Sequence, residues 1–136
     1  MAFERTEDFK EKYKTADRLE DGEFIVTLSM TESEDRNGEE CYLLRAEAIE
    51  GDNSGAESID TLYFFPDDRC EYDDTARIKT KIAEKLISQI EVALGTPLKL
   101  LPDDLNKFPA QKYKLTRTKT EKGEKTYYNT KSIEKA

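Results

Sequence analysis

The sequence predicts a mainly β fold, in which five antiparallel strands are accompanied by one helix between the third and the fourth strand. Two observations carry this prediction. Apolar and polar residues alternate with a period of two in five short segments, and Asn, Asp, Gly or Pro residues mark many of their ends. A further segment, residues 76–95, instead repeats its apolar residues at the spacing of a helix.

The first three strands are predicted to form an antiparallel meander. Residues 23–30 alternate regularly, and the polar loop 31–38 that follows ends in Asn-Gly, a strong hairpin signal. Residues 40–51 form the returning strand, and residues 58–65 form a third strand that stops at Pro66. Phe24, Val26, Leu28 and Met30 alternate with Ile25, Thr27 and Ser29 on the first strand. In one of two possible registers, the core of the next two strands is filled by Tyr42, Leu44, Leu62 and Phe64.

The helix is predicted over residues 76–95, because Gly95 is a typical helix end and Pro97 follows it. Asp74 or Thr75 is expected to cap its N-terminus. The acidic segment before the helix is expected to interrupt regular structure. The side chains that recur every four residues, and that we expect to form one apolar stripe, are Ile78, Ile82, Leu86, Ile90 and Leu94, flanked by Ala83, Ile87 and Ala93.

Two further strands, residues 112–120 and 125–133, are predicted on either side of a turn at residues 121–124. Residues 96–110 are expected to form an ordered loop, because their leucines need burial. This order of elements matches the five-stranded antiparallel Greek-key barrel called the OB-fold, with the helix covering the open end of the barrel. It also fits an α+β sheet that is covered by one helix. We expect an OB-fold-like domain over residues 21–136.

Residues 1–20 precede this domain. Phe9, Tyr13 and Ala16 stand at roughly helical spacing among charged residues. A short amphipathic helix, an arm that binds a partner and an arm that packs on its own domain are the alternatives for this segment.

Charge is distributed unevenly along the chain. Eight basic and three acidic residues give residues 111–136 a net charge of +5, so residues 1–110 carry −13 of the total of −8. General nucleic-acid-binding proteins are usually basic overall, and this chain is not. The asymmetry favours one surface that meets an anion, on a body that repels anions.

The sequence lacks the usual signatures of enzymes and metal sites. The chain has no His, and its two cysteines, Cys41 and Cys70, form no metal-binding pattern. Phosphate-binding and nucleophile motifs are absent, so we predict no enzyme activity, no cofactor and no metal. The carboxylates before the helix are better explained by the charge preference of a helix N-terminus than by a magnesium site.

The same features predict a cytoplasmic protein. The cysteines are interpreted as reduced thiols, with a disulfide between them as the alternative. The N-terminus has no apolar signal segment, and no stretch is apolar enough to span a membrane. We therefore expect no membrane partner.

The basic C-terminal segment combines cations with aromatic rings. Proteins bind single-stranded nucleic acid with cations along the phosphates and with aromatic faces on which bases stack. Because Tyr127 and Tyr128 are adjacent, they face opposite sides of a strand, and we expect one in the core and one available to a base. The alternative is a solvated edge hairpin whose lysines prevent aggregation. The candidate nucleic-acid-binding residues here are Lys112, Lys114, Arg117, Lys119, Lys122, Lys125, Tyr127 and Tyr128.

A second candidate surface lies on the outer face of strands two and three. If the residues named above for these strands fill the core, then Arg45, Tyr63 and Phe65 face outward. Tyr63 and Phe65 beside Arg45 would form a platform for bases. In the opposite register both rings belong to the core. Because the first register would expose them, Arg45 and Tyr63 are added to the candidate nucleic-acid-binding residues.

A family resemblance is carried by the stretch LEDGEFIVTLSMTESEDRNGEECYLLRAEAIEGDNSGAESIDTLYF, the helix ending in LG, the DDL of the following loop and the YYNT of the last strand. These features resemble small bacteriophage proteins of replication and recombination modules, over roughly residues 19–134. The resemblance implies an OB-fold that binds single-stranded DNA, and a replication or recombination protein as a further partner. Bacterial single-strand-binding proteins usually end in an acidic tail that recruits partners, whereas this chain ends in KSIEKA. Recruitment through such a tail is not expected.

The preferred interpretation is sequence-tolerant binding of single-stranded DNA in phage replication or recombination, in the cytoplasm of the host cell. The alternative is an acidic protein that docks on a basic partner or inhibits it by imitating nucleic acid, for example against a host defence enzyme. The segment with a charge of +5 favours the first interpretation, because a nucleic-acid mimic has no use for it. The sequence leaves open whether the chain is a monomer or a homodimer.

Overall fold

The structure, a computed structural model, describes residues 19–51, 54–98 and 111–136. These residues form one five-stranded sheet and two helices. In chain order the elements are β1 (Gly22–Glu34), β2 (Glu40–Ala48), β3 (Glu57–Leu62), α1 (Asp67–Tyr72), α2 (Asp74–Leu94), β4 (Tyr113–Lys122) and β5 (Lys125–Lys135).

All neighbouring strands are antiparallel, in the order β3-β2-β1-β4-β5. The predicted mainly β class, the five antiparallel strands and the long helix after strand three are therefore confirmed. The edge strands β3 and β5 are not neighbours in the hydrogen-bonded order, so backbone pairing does not close the sheet into a barrel. Helix α2 packs alongside β5, where Gln89 Oε1 accepts a hydrogen bond from the backbone N–H of Ile133 at 2.8 Å.

The two edge strands are nevertheless joined by side chains. The Thr130 hydroxyl on β5 donates a hydrogen bond to Asp60 Oδ2 on β3 at 2.7 Å. Arg117 Nη1 on β4 donates to the same hydroxyl at 3.1 Å and lies 3.9 Å from Asp60 Oδ2. We call this contact between β3 and β5 the seam. It brings the strands together at one point, without the row of backbone hydrogen bonds that a closed barrel would have.

The core lies on one face of the sheet, beneath α2. The alternation predicted for β1 and β2 is confirmed, because Val26, Leu28, Met30 and Leu44 are buried, and Phe24 and Tyr42 pack against the same cluster. On β3 and just beyond it, Leu62 is buried and Phe64 packs against the core, as in the first of the two registers that the sequence left open.

The predicted stripe of α2 is only partly correct. Leu86 and Ile90 are buried, but Ile78 and Ile82 are each 53% exposed. Residues four apart on an α-helix are separated by about 40° beyond a full turn, so a row of such residues winds around the axis. Relative to Ile90, Ile82 is rotated by about 80° and Ile78 by about 120°. The face that packs on the sheet combines Leu86 and Ile90 of the stripe with the flanking residues Ala83, Ile87 and Ala93.

The start of α2 also differs from the prediction. The N-cap is Asp73, whose carboxylate accepts a hydrogen bond from the backbone N–H of Ala76 at 3.2 Å, and not Asp74 or Thr75. The segment that we expected to interrupt regular structure contains the short helix α1. At the other end, Gly95 is the C-cap with φ 74°, a left-handed conformation that favours glycine.

The hairpin between β1 and β2 is tighter than predicted. Residues 31–34, expected in a loop, continue β1, and the turn occupies residues 35–39. Asp35 Oδ1 accepts hydrogen bonds from the backbone N–H groups of Asn37 at 2.8 Å and Glu39 at 3.0 Å. The short Asp side chain thus organises the turn that the Asn-Gly pair indicated.

Two predictions fall wholly or mostly outside the described residues. Most of the proposed arm, residues 1–18, and most of the loop between α2 and β4, residues 99–110, lie there. Cys41 and Cys70 are free thiols. Neither helix in the described ranges is long and apolar enough to cross a membrane.

Candidate nucleic-acid interface

The β4–β5 hairpin extends beyond the rest of the sheet. Strand β4 pairs with β1 only from Tyr113 to Arg117, which lies opposite Gly22, the first residue of β1. Its pairing with β5 continues to Lys122 opposite Lys125. Residues 118–129 therefore form a two-stranded projection, which we call the hairpin arm. Five residues of β4 beyond Arg117 correspond to a length of about 17 Å.

A β-bulge decides how the arm presents its side chains. Thr116 pairs with Ser132 and Arg117 pairs with Thr130, so Lys131 is an extra residue on β5. Because of this extra residue, Ile133 and Thr130 both face the interior although they are three positions apart. The bulge thereby sets the alternation for the whole arm.

The two adjacent tyrosines occupy opposite faces of the arm. Tyr128 lies opposite Lys119, on the side that Arg117 shares, whereas Tyr127 lies opposite Thr120 on the other side. The expectation that one of them belongs to the core is wrong, since Tyr127 is 45% exposed and Tyr128 is half-buried. Tyr127 therefore offers the more accessible ring.

The lysines of the arm differ in how strongly they are neutralised. Lys119 Nζ lies 3.1 Å from Glu121 Oε1, and this hydrogen bond raises the pKa of Lys119. Lys122 and Lys125 are exposed, and neither forms an ion pair with any residue of the described ranges. The tip of the arm thus carries two available cations near an exposed aromatic ring.

The two lysines at the base of β4 are paired with acidic residues. Lys112 Nζ lies 3.5 Å from Glu50 Oε1. Lys114 Nζ lies 3.5 Å from Glu23 Oε1 and 3.8 Å from Glu134 Oε2. The cationic residues predicted along β4 therefore do not form a continuous positive track, because carboxylates of β1, β5 and Glu50 interrupt it.

Arg117 is placed differently from what a phosphate ligand requires. It is 5% exposed, and its guanidinium donates hydrogen bonds to the backbone carbonyls of Leu19 at 3.0 Å and Tyr128 at 3.1 Å. Together with its contacts to Thr130 and Asp60, these bonds direct the side chain into the protein. The prediction that Arg117 contacts nucleic acid does not fit this burial.

Arg45 lies apart from the aromatic residues with which we had grouped it. It pairs with Ile59 in the ladder, and its side chain is exposed, 3.9 Å from Glu57 Oε2. Tyr63 follows Ile59 by four residues along the chain, which corresponds to roughly 13 Å in an extended strand. The expectation that Arg45 stands beside Tyr63 and Phe65 is therefore wrong.

Tyr63 and Phe65 do stack on each other. Their ring centroids are 5.5 Å apart and their planes differ by 7°. Cations already lie over both rings: Arg69 is 4.2 Å from the Phe65 centroid, and Lys79 Nζ is 4.7 Å from the Tyr63 centroid. Both rings are half-buried, and these cation–π contacts stabilise the stack as part of the fold.

The stack is connected to the β1–β2 turn, a link that the sequence did not reveal. The Tyr63 hydroxyl donates a hydrogen bond to Asp35 Oδ2 at 3.0 Å, and Arg69 forms an ion pair with Glu39. The pKa of Asp35 is lowered, chiefly by the hydrogen bond from the Glu39 backbone and further by those from Asn37 and Tyr63. Burial is the first cause that raises the pKa of Tyr63, followed by its bond to Asp35.

This arrangement predicts a pH-dependent contribution of Asp35 to stability. A carboxylate with a lowered pKa in the folded state stabilises the protein above its ordinary pKa and loses this contribution as the pH falls. In urea denaturation, the Asp35→Asn variant is expected to unfold at lower urea than the parent protein at pH 6, and the difference should shrink by pH 3. Glu34→Gln serves as the control. A difference that grows toward pH 3 would contradict the assignment.

The described residues contain no group of three or more His, Cys, Asp or Glu residues that could hold a metal ion. A scan against protein-family models gives no match. A search of curated proteins gives no significant match either.

Proposed function

We propose that the chain binds single-stranded DNA without strong sequence preference, through the tip of the hairpin arm, in phage replication or recombination. The observation that carries the proposal is the arm itself, on which Lys122 and Lys125 have no ion-pair partner in the described ranges and Tyr127 is accessible. Cations for phosphates and an aromatic face for a base are the two requirements of sequence-tolerant binding.

The length of the arm helps to reconcile this role with a net charge of −8. Charges are largely screened beyond about 10 Å at an ionic strength of 0.1 M. The arm extends about 17 Å past the start of β1. A phosphate at the tip therefore experiences mainly the charges of the arm itself, in which three lysines exceed the two acidic residues Glu121 and Glu124, while most of the acidic sheet lies more than a screening length away.

The strand order supports an OB-fold-like architecture as part of the proposal. A sheet ordered β3-β2-β1-β4-β5 becomes a partly open five-stranded barrel when its edges approach each other, and the seam between Asp60 and Thr130 supports this approach. The β4–β5 connection is one of the loops with which OB-folds contact oligonucleotides. The proposed interface differs from the usual one in relying on this connection more than on the outer face of β2 and β3.

The outer face of β2 and β3 is a poor surface for phosphates. Glu47 and Glu57 are exposed there, and Glu57 lies close to Arg45. Tyr63 already has Lys79 over its ring. The proposed binding residues are therefore Lys119, Lys122, Lys125, Tyr127 and Tyr128.

The proposal is tested by titrating the full chain with oligo-dT at several salt concentrations. Each phosphate contact contributes roughly 0.7 to the slope of log affinity against log salt for single strands. Lys122→Gln with Lys125→Gln should weaken binding at low salt and make this slope shallower by about 1.4. Tyr127→Ala should lower the affinity by about tenfold without changing the slope, because base stacking is worth roughly 1–3 kcal/mol.

The matched control is Lys81→Gln with Lys135→Gln, which also removes two positive charges, but from exposed positions outside the arm. This variant should bind within about twofold of the parent, since it leaves the arm intact. Equal weakening by both double variants would show a response to net charge alone. That result, or the absence of binding at low salt, would refute the proposal.

A further inference from the structure

The inner face of β1 and β2 changes from apolar to acidic toward their shared turn. Val26, Leu28 and Met30 face the core, and the same alternation puts Glu32 and Glu34 on that face. On β2 the corresponding positions are Leu44, Tyr42 and Glu40, with Glu32 paired to Tyr42 and Glu34 paired to Glu40. Three exposed carboxylates therefore continue these rows beyond the core residues.

These carboxylates border a cavity of about 620 Å³ that also has an aromatic wall. Tyr42 and Phe64 form this wall, with ring centroids 5.9 Å apart and an interplanar angle of 79°. Both rings pack against the hydrophobic core, which holds them in place. We call Glu32, Glu34, Glu40, Tyr42 and Phe64 the acidic pocket.

The pocket is negatively charged, and the residues that the structure describes supply no counter-ion to it. None of its three glutamates forms an ion pair within the described ranges. The pKa of Tyr42 is raised by burial, then by the charges of Glu32 and Glu40, so the carboxylates act on the ring itself. A phosphate or carboxylate ligand would be repelled from this cavity. A cation would be attracted by the glutamates and by the faces of the aromatic rings.

We propose that the acidic pocket binds a lysine or arginine side chain presented by a basic segment of another protein. The charge complementarity selects a cation, and the aromatic wall contacts the aliphatic or planar part of such a side chain. The cavity is large enough for the side chain and part of the segment that carries it. The proposed partner is thus a basic peptide. A nucleic acid is anionic, and residues 1–110 of the chain carry a net negative charge, so neither fits the pocket.

The pocket is separate from the hairpin arm. The arm projects past the first residue of β1, whereas the pocket surrounds its last residues, and the 13 residues of β1 span roughly 43 Å. Nucleic acid on the arm would leave the pocket open. This inference therefore goes beyond the proposed DNA binding and holds or fails independently of it.

The test uses capped tetra-arginine amide as the probe, titrated into the full chain by calorimetry at low salt, with capped tetra-glutamine amide as the neutral peptide. The variant Glu32→Gln, Glu34→Gln, Glu40→Gln is expected to bind the basic peptide about five- to tenfold more weakly, since each exposed charge pair contributes a factor of about two. Tyr42→Leu should weaken binding about threefold while all three carboxylates remain.

The matched control is Glu47→Gln, Glu71→Gln, Glu124→Gln, which changes the net charge equally at exposed positions outside the pocket. It should bind tetra-arginine within about twofold of the parent. Equal losses in the two triple variants would overturn the proposal in favour of diffuse attraction. Sedimentation of the chain alone is a second test. If the chain self-associates and only the pocket variant abolishes this association, the pocket binds a second copy of the chain, and the proposed partner is wrong.

Discussion

Replacing Arg117 by Met is expected to lower the free energy of unfolding by about 3–5 kcal/mol, which is the usual cost of breaking a buried ion pair by removing one partner. The guanidinium satisfies the carbonyls of Leu19 and Tyr128 and reaches both Thr130 and Asp60. Methionine fills much of the volume but can donate to none of these oxygens. Chemical denaturation monitored by circular dichroism measures the change.

Arg45→Met is the matched control for this experiment. Arg45 is the same residue type on β2 of the same sheet, but it is exposed and lies 3.9 Å from the carboxylate of Glu57. Exposed pairs of this kind contribute about 0–1 kcal/mol. If the two variants lost similar amounts of stability, the buried network around Arg117 would not have the structural importance that we assign to it.

Replacing Ile90 by Ala is expected to lower the free energy of unfolding by about 3 kcal/mol, within the range for truncating a buried isoleucine. Ile90 is 0% exposed and lies in the cluster between α2 and the sheet. The truncated side chain leaves a cavity that neighbouring residues fill only in part. Thermal and urea denaturation would both show the loss.

Ile82→Ala provides the comparison within the same helix. This side chain is largely exposed, and Ala has the higher helix propensity, so the variant should change stability by less than about 1 kcal/mol. A larger loss for Ile82 than for Ile90 would mean that the side of α2 that carries Ile82, and not the observed face, packs on the sheet.

These two experiments also separate what the sequence predicts from what it does not. The alternation of Val26, Leu28 and Met30 is a local pattern, so it indicated the buried face of β1 correctly. The four-residue repeat of α2 indicated a helix correctly, but it placed Ile82 on the wrong face. A repeat of four winds around the helix axis, and the contact with the sheet selects only part of it.

The candidate site was less predictable because it depends on long-range geometry. Lys122 and Lys125 were predicted from the combination of cations and aromatic residues in this segment, and both are exposed. Arg117 was grouped with them because no local pattern reveals its hydrogen bonds to Leu19 or its approach to Asp60. The two tyrosines needed the bulge at Lys131, since one extra residue reverses the faces of everything beyond it.

The acidic pocket shows the same limit in another form. Glu32 and Glu34 were read as part of a polar loop, and only the observed length of β1 places them in register with the core-facing row. Residues 31–34 are all polar, so no alternation of apolar and polar residues marked the continuation of the strand.

The seam has a consequence for how the folded chain fluctuates. In a fully closed barrel each strand is paired on both sides, so removing one strand breaks two ladders. Here β3 has a backbone ladder to β2 alone among the described strands. Its separation breaks this ladder, the contact of Asp60 with Thr130, the hydrogen bond from the Leu19 backbone to Glu57 and the packing of Leu62 in the core. Partial opening along this line therefore requires less free energy than global unfolding. The amide hydrogens of β3 should exchange with solvent before those of the central strand β1.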